Sequence, residues 1–333
     1  MNFIPARYSI LSSEALQEFV ANRYNLSPEM TCVYWQEAQS GGNDMYLIES
    51  SPKRYILRVY LNDTSTSTEI DSQAHLCNDL AEAGISAPRV IPAKDGQFVQ
   101  TLNAAEGIRY ATLSEFIEGI SPGSAITEAQ SHQYGQTLAT FHQYCDLRTE
   151  KYPLPQLDNK ILLEEPLSEL LPFLKHRPQD AQTLTDLVIQ LGAKLQTLPT
   201  TAPTFGVCHG DPHKSNLLCA DQMLTLMDFD CAGYSWRAYD LAVFRWSTGR
   251  PQRFGGFEPA RAQAIWQAFL EGYQSRYALP DLESVRDFVL VRHIWWLAID
   301  FKKVRLGKIG RSWIDEGLFD FQLGILQELR DLA

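Results

Sequence analysis

Residues 207–244 read VCHGDPHKSNLLCADQMLTLMDFDCAGYSWRAYDLAVF, the densest run of polar, chemically capable side chains in a chain of 333 residues. The spacing is His209-x-Asp211, then Asn216, then Asp228-Phe229-Asp230 after a short apolar run. A lone His-x-Asp usually means a satisfied loop hydrogen bond. Taken together, however, these positions follow the order that phosphoryl transfer requires. One carboxylate must lie beside the attacking hydroxyl to orient it and accept its proton, and Asp211 is the candidate. A neutral oxygen ligand and a second carboxylate from a neighbouring strand can clamp Mg²⁺ against nucleotide phosphates, roles that fit Asn216 and Asp228. NLLCA and MLTLMDF read as two short strands joined by a turn at Asp221 and Gln222, a hairpin that brings Asn216 and Asp228 to the same end. Pro212 argues against a continuous helix here and places these residues in a rigid loop.

Two rival chemistries fit poorly. His209 and His213 have H-x-x-x-H spacing, but no Glu follows His209 and Pro212 disrupts the helix a zinc site would need. Cys208 beside His209 is no nucleophile–base pair, because neighbours in a strand point to opposite faces.

The rest of the chain supplies a frame for this segment. MTCVYWQEA, DMYLIES and RYILRVYL are three β-rich runs separated by the turns QSGGN and SSPK. A helical stretch, STEIDSQAHLCNDLAEAG, follows and closes at Gly84 in a C-cap position. ISAPRVIPAKDGQFVQTL and IRYATLSEFIEG are further strand material. From about residue 120 the apolar spacing turns helical, in SAITEAQSHQYGQTLATFHQYC, LSELLPFLKH, AQTLTDLVIQLGAKLQTL, PARAQAIWQAFLEGYQSRY and the end of the chain. The expected architecture is α+β in two lobes. A small lobe, residues 1–114, has an antiparallel sheet plus one helix. A link at 115–122 leads to a larger, mainly helical lobe at 123–333, with a two-stranded insert at 206–230.

Composition narrows the setting. FVLVRHIWWLAIDF at 288–301 carries Arg292, His293 and Asp300, so it reads as a buried helix and not a membrane span. MNFIPARYSI lacks the features of a secretory leader. Six scattered cysteines with no C-x-x-C pair imply reduced thiols and a cytoplasmic protein. A formal net charge of -11 disfavours nucleic acid or an anionic membrane as the main partner.

The HGDPHKSN and MDFDCAGYSWRAYDLA segments resemble the aminoglycoside phosphotransferase and choline kinase superfamily, which shares the protein-kinase-like fold. They are most similar to the branch of stress-response kinase A and the homoserine-kinase-like phosphotransferases. The resemblance runs from the glycine turn near 41 to the tryptophan-rich helix near 296. It implies ATP and Mg²⁺ as cofactors, Asp211 as catalytic base, and Asn216 and Asp228 as metal ligands. His209 would brace the catalytic loop, Asp240 would support it, and Asp230, in place of the glycine of D-F-G, would face the same site. In the small lobe, Gly41 and Gly42 would turn over the nucleotide phosphates and Arg58 would be the phosphate-binding cation. The backbone of Glu115 and Ile117 would pair with adenine. The helix glutamate expected to pair with the strand cation falls on Gln73, with Glu69 one turn earlier on the same face. Gly210 stands where protein kinases carry the arginine that receives an activation-loop phosphate, and no A-P-E segment precedes Asp240.

The resemblance implies a kinase acting on a hydroxyl of a small, amine-bearing acceptor: an amino alcohol, a homoserine-like amino acid or an aminoglycoside. Trp295, Trp296 and Asp300 are candidates for an aromatic and acidic wall around an ammonium group, set against the alternative that the tryptophans are core. Glu271, Tyr273 and Arg292 are equally ambiguous. The alternative functions are a serine/threonine protein kinase of the stress-response type and, because of Gln73, a catalytically silent nucleotide-binding module.

Overall fold

Buried residues alternate with more exposed ones along residues 44–50 and 53–59, the period of a strand. The computed structural model describes residues 6, 8–35, 43–62, 65–220, 223–305 and 314–332. The chain divides into two compact units, Met1–Gly119 and Ile120–Ala333.

The first unit runs α1 (Ser13–Arg23), β1 (Thr31–Tyr34), β2 (Asp44–Ser50), β3 (Lys53–Val59), α2 (Ser67–Glu82), β4 (Val90–Ile91), β5 (Gln100–Ala104) and β6 (Gly107–Glu115). The strands form one antiparallel sheet of order β1-β2-β3-β6-β4, with β5 also paired to β6. Tyr46 and Ile48 on β2 and Leu57 and Val59 on β3 fill one face, where they join Leu16, Val20 and Tyr24 of α1 in a core. Helix α1 adds a second helix to the one expected from sequence. Its start is fixed by Ser12, whose hydroxyl accepts from the Ala15 amide. Helix α2 begins in a reciprocal capping box between Thr66 and Glu69. It ends at Gly84, whose φ of +78 lets the Ile85 amide reach back to the Leu80 carbonyl. Beneath the sheet a buried ion pair, Arg109 Nη2 to Asp44 Oδ2 at 2.7 Å, is completed by Arg109 donating to the Tyr60, Val59 and Ser9 carbonyls. A buried charge is tolerated only when it is satisfied in this way.

The second unit contains α3 (Glu128–Leu147), α4 (Glu165–Leu170), α5 (Pro178–Leu195), β7 (Phe205–Cys208), β8 (Leu217–Ala220), β9 (Met223–Leu226), β10 (Gly233–Trp236), α6 (Arg237–Gly249), α7 (Pro259–Gln274), α8 (Leu282–Arg305) and α9 (Glu316–Leu332). Helices α3 and α7 pack with their backbones nearly touching. A Cβ on Gly135 would lie 2.1 Å from the Phe269 carbonyl oxygen, and one on Gly272 would lie 1.9 Å from that of His132. Ser131 Oγ donates to the Ile265 carbonyl across the same contact. Phe244 stacks on Phe269 at 4.3 Å, and each such fully buried ring contributes roughly 2–3 kcal/mol. This crossing sets the positions of His142 on α3 and Tyr273 on α7. The segment FVLVRHIWWLAIDF lies within α8 with Arg292 and His293 buried, and no described helix is long and apolar enough to cross a membrane.

Candidate active site

The segment 207–244 forms two ladders. β8 pairs with β9 as the hairpin expected from sequence, although its turn residues, Asp221 and Gln222, lie outside the described residues. β7 pairs with β10, a ladder that the sequence does not announce. The loop 209–216 leaves β7 and enters β8. It is cross-tied by the His213 amide to the Asp211 carbonyl, the Asn216 amide to the His213 carbonyl, and the Met227 amide to the Asn216 carbonyl. Because Leu217 pairs with Leu226, Asn216 and Asp228 fall at the same end of the hairpin. Asn216 Nδ2 donates to the Asp211 carbonyl at 2.9 Å. That bond orients the amide and leaves its oxygen as the atom suited to a hard cation. Asp228 takes φ +66 and ψ 69, the left-handed region, and is the single non-glycine with positive φ among the described residues. A conformation of this kind costs on the order of 1 kcal/mol and persists where the surroundings impose it.

Asp240, fully buried near the start of α6, anchors the loop. Oδ2 accepts from the His209 amide at 2.7 Å and Oδ1 from the Gly210 amide at 2.8 Å. His142 Nε2–H donates to Oδ2 at 2.9 Å, and His142 Nδ1 accepts from the Tyr273 hydroxyl at 2.7 Å. Burial, reinforced by the Arg237 charge, pulls His142 down to about 4, so it is neutral. Burial opposes ionisation of Asp240, but the hydrogen bonds from His142 and the Gly210 amide hold the carboxyl below its ordinary value. Gly210 has φ +80, and a Cβ there would lie 1.9 Å from the Cys231 carbonyl oxygen. No side chain fits at the place of the protein-kinase arginine. Farther along the loop, Lys214 Nζ donates to the Ser247 and Gly255 carbonyls, so the loop is fastened to both ends of α6.

His209 is fully buried. Its Nε2–H donates to the Met227 carbonyl, its Nδ1 accepts from the Asp211 amide, and its ring packs on Phe229 at 4.5 Å. Both ring nitrogens are used, and they tie the loop to the end of the hairpin. Asp230 sits in the 3-10 turn Phe229–Cys231 that follows Asp228. His142, Cys208 and Asp240 come within 4.8 Å of one another. Both His142 nitrogens are hydrogen-bonded, and burial keeps the Cys208 thiol protonated, so the trio is a hydrogen-bonded core and not a metal centre.

The Asp211 side chain is 18% exposed. Oδ1 accepts from Arg292 Nη2 of α8 at 2.5 Å, and His213 Nε2 lies 3.8 Å from Oδ2. Burial outweighs the carboxylate's pull and keeps His213 below its ordinary pKa. Arg292 was ambiguous from sequence, and the readable sign was a guanidinium beside His293 within the apolar run 288–299. The proposed aromatic wall is arranged differently from the expectation. Trp295 lies under the Arg292 guanidinium at 4.5 Å. Trp296 packs among Trp246, Phe254 and His293. Asp300 pairs with Lys303 at 3.6 Å, and burial pushes its carboxyl up. Of the other ambiguous residues, Glu271 accepts from Gln267 in the exposed turn-to-turn manner of a helix surface, and Tyr273 belongs to the His142 network. Sequence reasoning missed His142, which sits unmarked in an ordinary helical pattern.

In the first unit, Arg58 lies on β3 opposite Met45 and Thr112, its guanidinium 5.6 Å from the Tyr60 ring centre. Glu69 Oε2 accepts from the Thr66 amide and hydroxyl and so caps α2, and Gln73 is 5% exposed on the same helix. Glu115 ends β6 with its amide donating to the Arg89 carbonyl. Ile117 follows in the segment after β6. Gly41 and Gly42 lie outside the described residues.

An antiparallel-sheet unit followed by a helical unit carrying this loop and hairpin is a protein-kinase-like fold, and its chemistry is that of a phosphotransferase. The chain belongs to the phosphotransferase enzyme family that includes the aminoglycoside phosphotransferases, whose model matches residues 36–288. It is 34% identical over 332 residues to an uncharacterized protein of Deinococcus radiodurans, across 97% of this chain and 92% of that one. It is 23% identical over 280 residues to amicoumacin kinase of Bacillus subtilis, across 81% and 80% of the two chains. The solved structure of amicoumacin kinase hAmiN in complex with AMP-PNP, Ca²⁺ and Ami matches with a TM-score of 0.77 at 18% identity, across 98% of this chain and 95% of that one.

Proposed function

We propose that the protein is an ATP- and Mg²⁺-dependent kinase that moves the γ-phosphoryl group to a hydroxyl of a small molecule, with Asp211 as the base. The observation that carries this reading is the loop geometry. Asp211 stands partly exposed on a segment pinned by Asp240, with Asn216 and Asp228 at the adjoining end of the hairpin. A carboxylate and an amide oxygen are the hard donors that Mg²⁺ takes, and the bound ion would offset phosphate charge. Asp211 would accept a hydrogen bond from the acceptor hydroxyl and take its proton as the new O–P bond forms, while Asp240, His142 and His209 keep the loop in place. Arg58, the turn at Gly41 and Gly42, and the backbone of Glu115 and Ile117 would bind the nucleotide. This assigns residues 1–114 to nucleotide binding, 115–122 to the hinge and 123–333 to catalysis and the acceptor. Gly210 and the likeness to amicoumacin kinase support a small molecule over a protein substrate. Six free cysteines fit a cytoplasmic setting.

Asp211→Ala should lower acceptor-dependent ADP release about 1,000-fold, within the range ascribed to general bases, while thermal unfolding stays cooperative. Retained turnover by a folded variant would remove the assignment. Labelled ATP in cell extract should mark the small-molecule fraction, and label in protein would favour the protein-kinase alternative.

A further inference from the structure

The ammonium-binding wall suggested by the sequence is already occupied by the protein's own cations. Arg292 is 2% exposed and offers five N–H donors in one plane. Nη2 is spent on Asp211. Nε and Nη1 are buried without an acceptor, although the Tyr239 hydroxyl lies close enough to the guanidinium to interact with it. A second guanidinium, Arg250 at the end of α6, lies 4.4 Å from the centre of the Trp246 ring, which Arg292 approaches to 5.3 Å. Arg250 Nε is also buried without an acceptor. Burial, together with the Arg292 charge, draws Arg250 down to about 10. Asp300, the acid expected to face the acceptor, is engaged with Lys303. A buried and a half-buried guanidinium, each with orphaned donors, are costly side by side unless an oxygen-rich anion completes them.

We propose that Arg292, with Arg250 behind it, reads an oxyanion on the acceptor. The preferred substrate is then a small hydroxy acid or hydroxy amino acid whose carboxylate accepts from Nη1 and from the second N–H of Nη2 while its hydroxyl faces Asp211. This deepens the kinase reading and rests on Asp211 as the base. A planar fork of donors suits a carboxylate, and an ammonium placed there would meet two cations. Among the acceptor classes implied by the resemblance, the homoserine-like amino acids satisfy the arrangement and the simple amino alcohols do not.

The test compares matched acceptors that differ only in the anionic group: L-homoserine against 3-aminopropan-1-ol, and 4-hydroxybutyrate against 4-hydroxybutanamide. The wild-type enzyme should favour the carboxylate member in kcat/KM by about 100-fold or more, the scale at which a site built for a polar group rejects an analogue lacking it. Arg292→Gln should bring the pairs toward parity by raising KM for the acids. Arg292→Lys should fall between, and Arg250→Gln should move the same way by a smaller factor. A wild-type preference for the neutral or ammonium-only member overturns the proposal. So does an Arg292→Gln variant that slows both members of each pair equally, since that places Arg292 on Asp211 or on the transferred phosphoryl group alone. If Arg292→Gln does not fold, the wild-type comparison decides.

A binding arm uses butyrate as the probe. It should raise the unfolding temperature of the wild type and of Asp211→Ala but not that of Arg292→Gln, and no butyrate-dependent rise in the wild type counts against the oxyanion site. Turnover retained by Asp211→Ala would instead fault the base assignment, so the two failures are separable.

Discussion

At the scale of single residues, the site depends on one buried carboxylate more than on the residues nearest the chemistry. Asp240 accepts from two consecutive loop amides and from His142. Asp240→Asn replaces one acceptor oxygen with an N–H that must face another donor, which should cost about 3 kcal/mol or more. With its anchor gone, the loop carrying Asp211 should lose about 100-fold or more in kcat. Urea unfolding alongside ADP-release kinetics reads both, and a destabilised variant with unchanged kcat would deny Asp240 its positioning role. Asp211, Asn216 and Asp228 could be singled out in the sequence by their order along one continuous segment, and Asp240 by the family resemblance, and the structure gathers all four around one loop. His142 and Arg292 could not be singled out this way, because they arrive from distant helices, and three-dimensional packing alone brings them to the loop. Arg58 was chosen by its position in its strand and Glu69 by its place one turn before Gln73, and what position alone did not reveal is that Glu69 Oε2 also caps its own helix.

At the scale of elements, the crossing of α3 and α7 determines where His142 meets Tyr273. Gly→Ala within a helix ordinarily gains about 1 kcal/mol through propensity. Here Gly272→Ala should instead cost about 2–3 kcal/mol, because the new Cβ meets a backbone carbonyl that has no rotamer to escape into. Thermal unfolding checks it, and a variant more stable than the wild type would contradict the close approach. The strands β1 to β3 and helix α2 were readable from period and punctuation. Helix α1 was not, since it has only Leu16 and Val20 fully buried along its length and shows a weak stripe. The β7–β10 ladder escaped because its partners are separated by the whole catalytic segment, and a four-residue strand carries little signal without its neighbour.

For the molecule as a whole, the buried histidines set the response to acid. Burial lowers both His142 and His293 from the ordinary 6.5 to about 4, so between these values the unfolded chain binds more protons than the folded one. Stability therefore falls as pH drops from about 6.5 to about 4, by up to about 3 kcal/mol for each group, and is restored on raising pH. Asp240, with its carboxyl held below 3.8, is lost only at lower pH and lies outside this window. Unfolding free energies at about pH 7 and about pH 4.5 should show the loss. His293→Gln, which removes a titrating group whose nitrogens bond Trp246 and the Gln322 carbonyl, should flatten it, and an unchanged slope would exclude His293 as a contributor. The division into a sheet-bearing and a helical unit was readable from the shift in apolar period near residue 120, because each unit must build its own core. The geometry at Gly210 also bears on the history open to this chain. A point mutation to arginine there would drive a side chain into the Cys231 carbonyl, so the shortest genetic route to a phosphate-gated loop is closed.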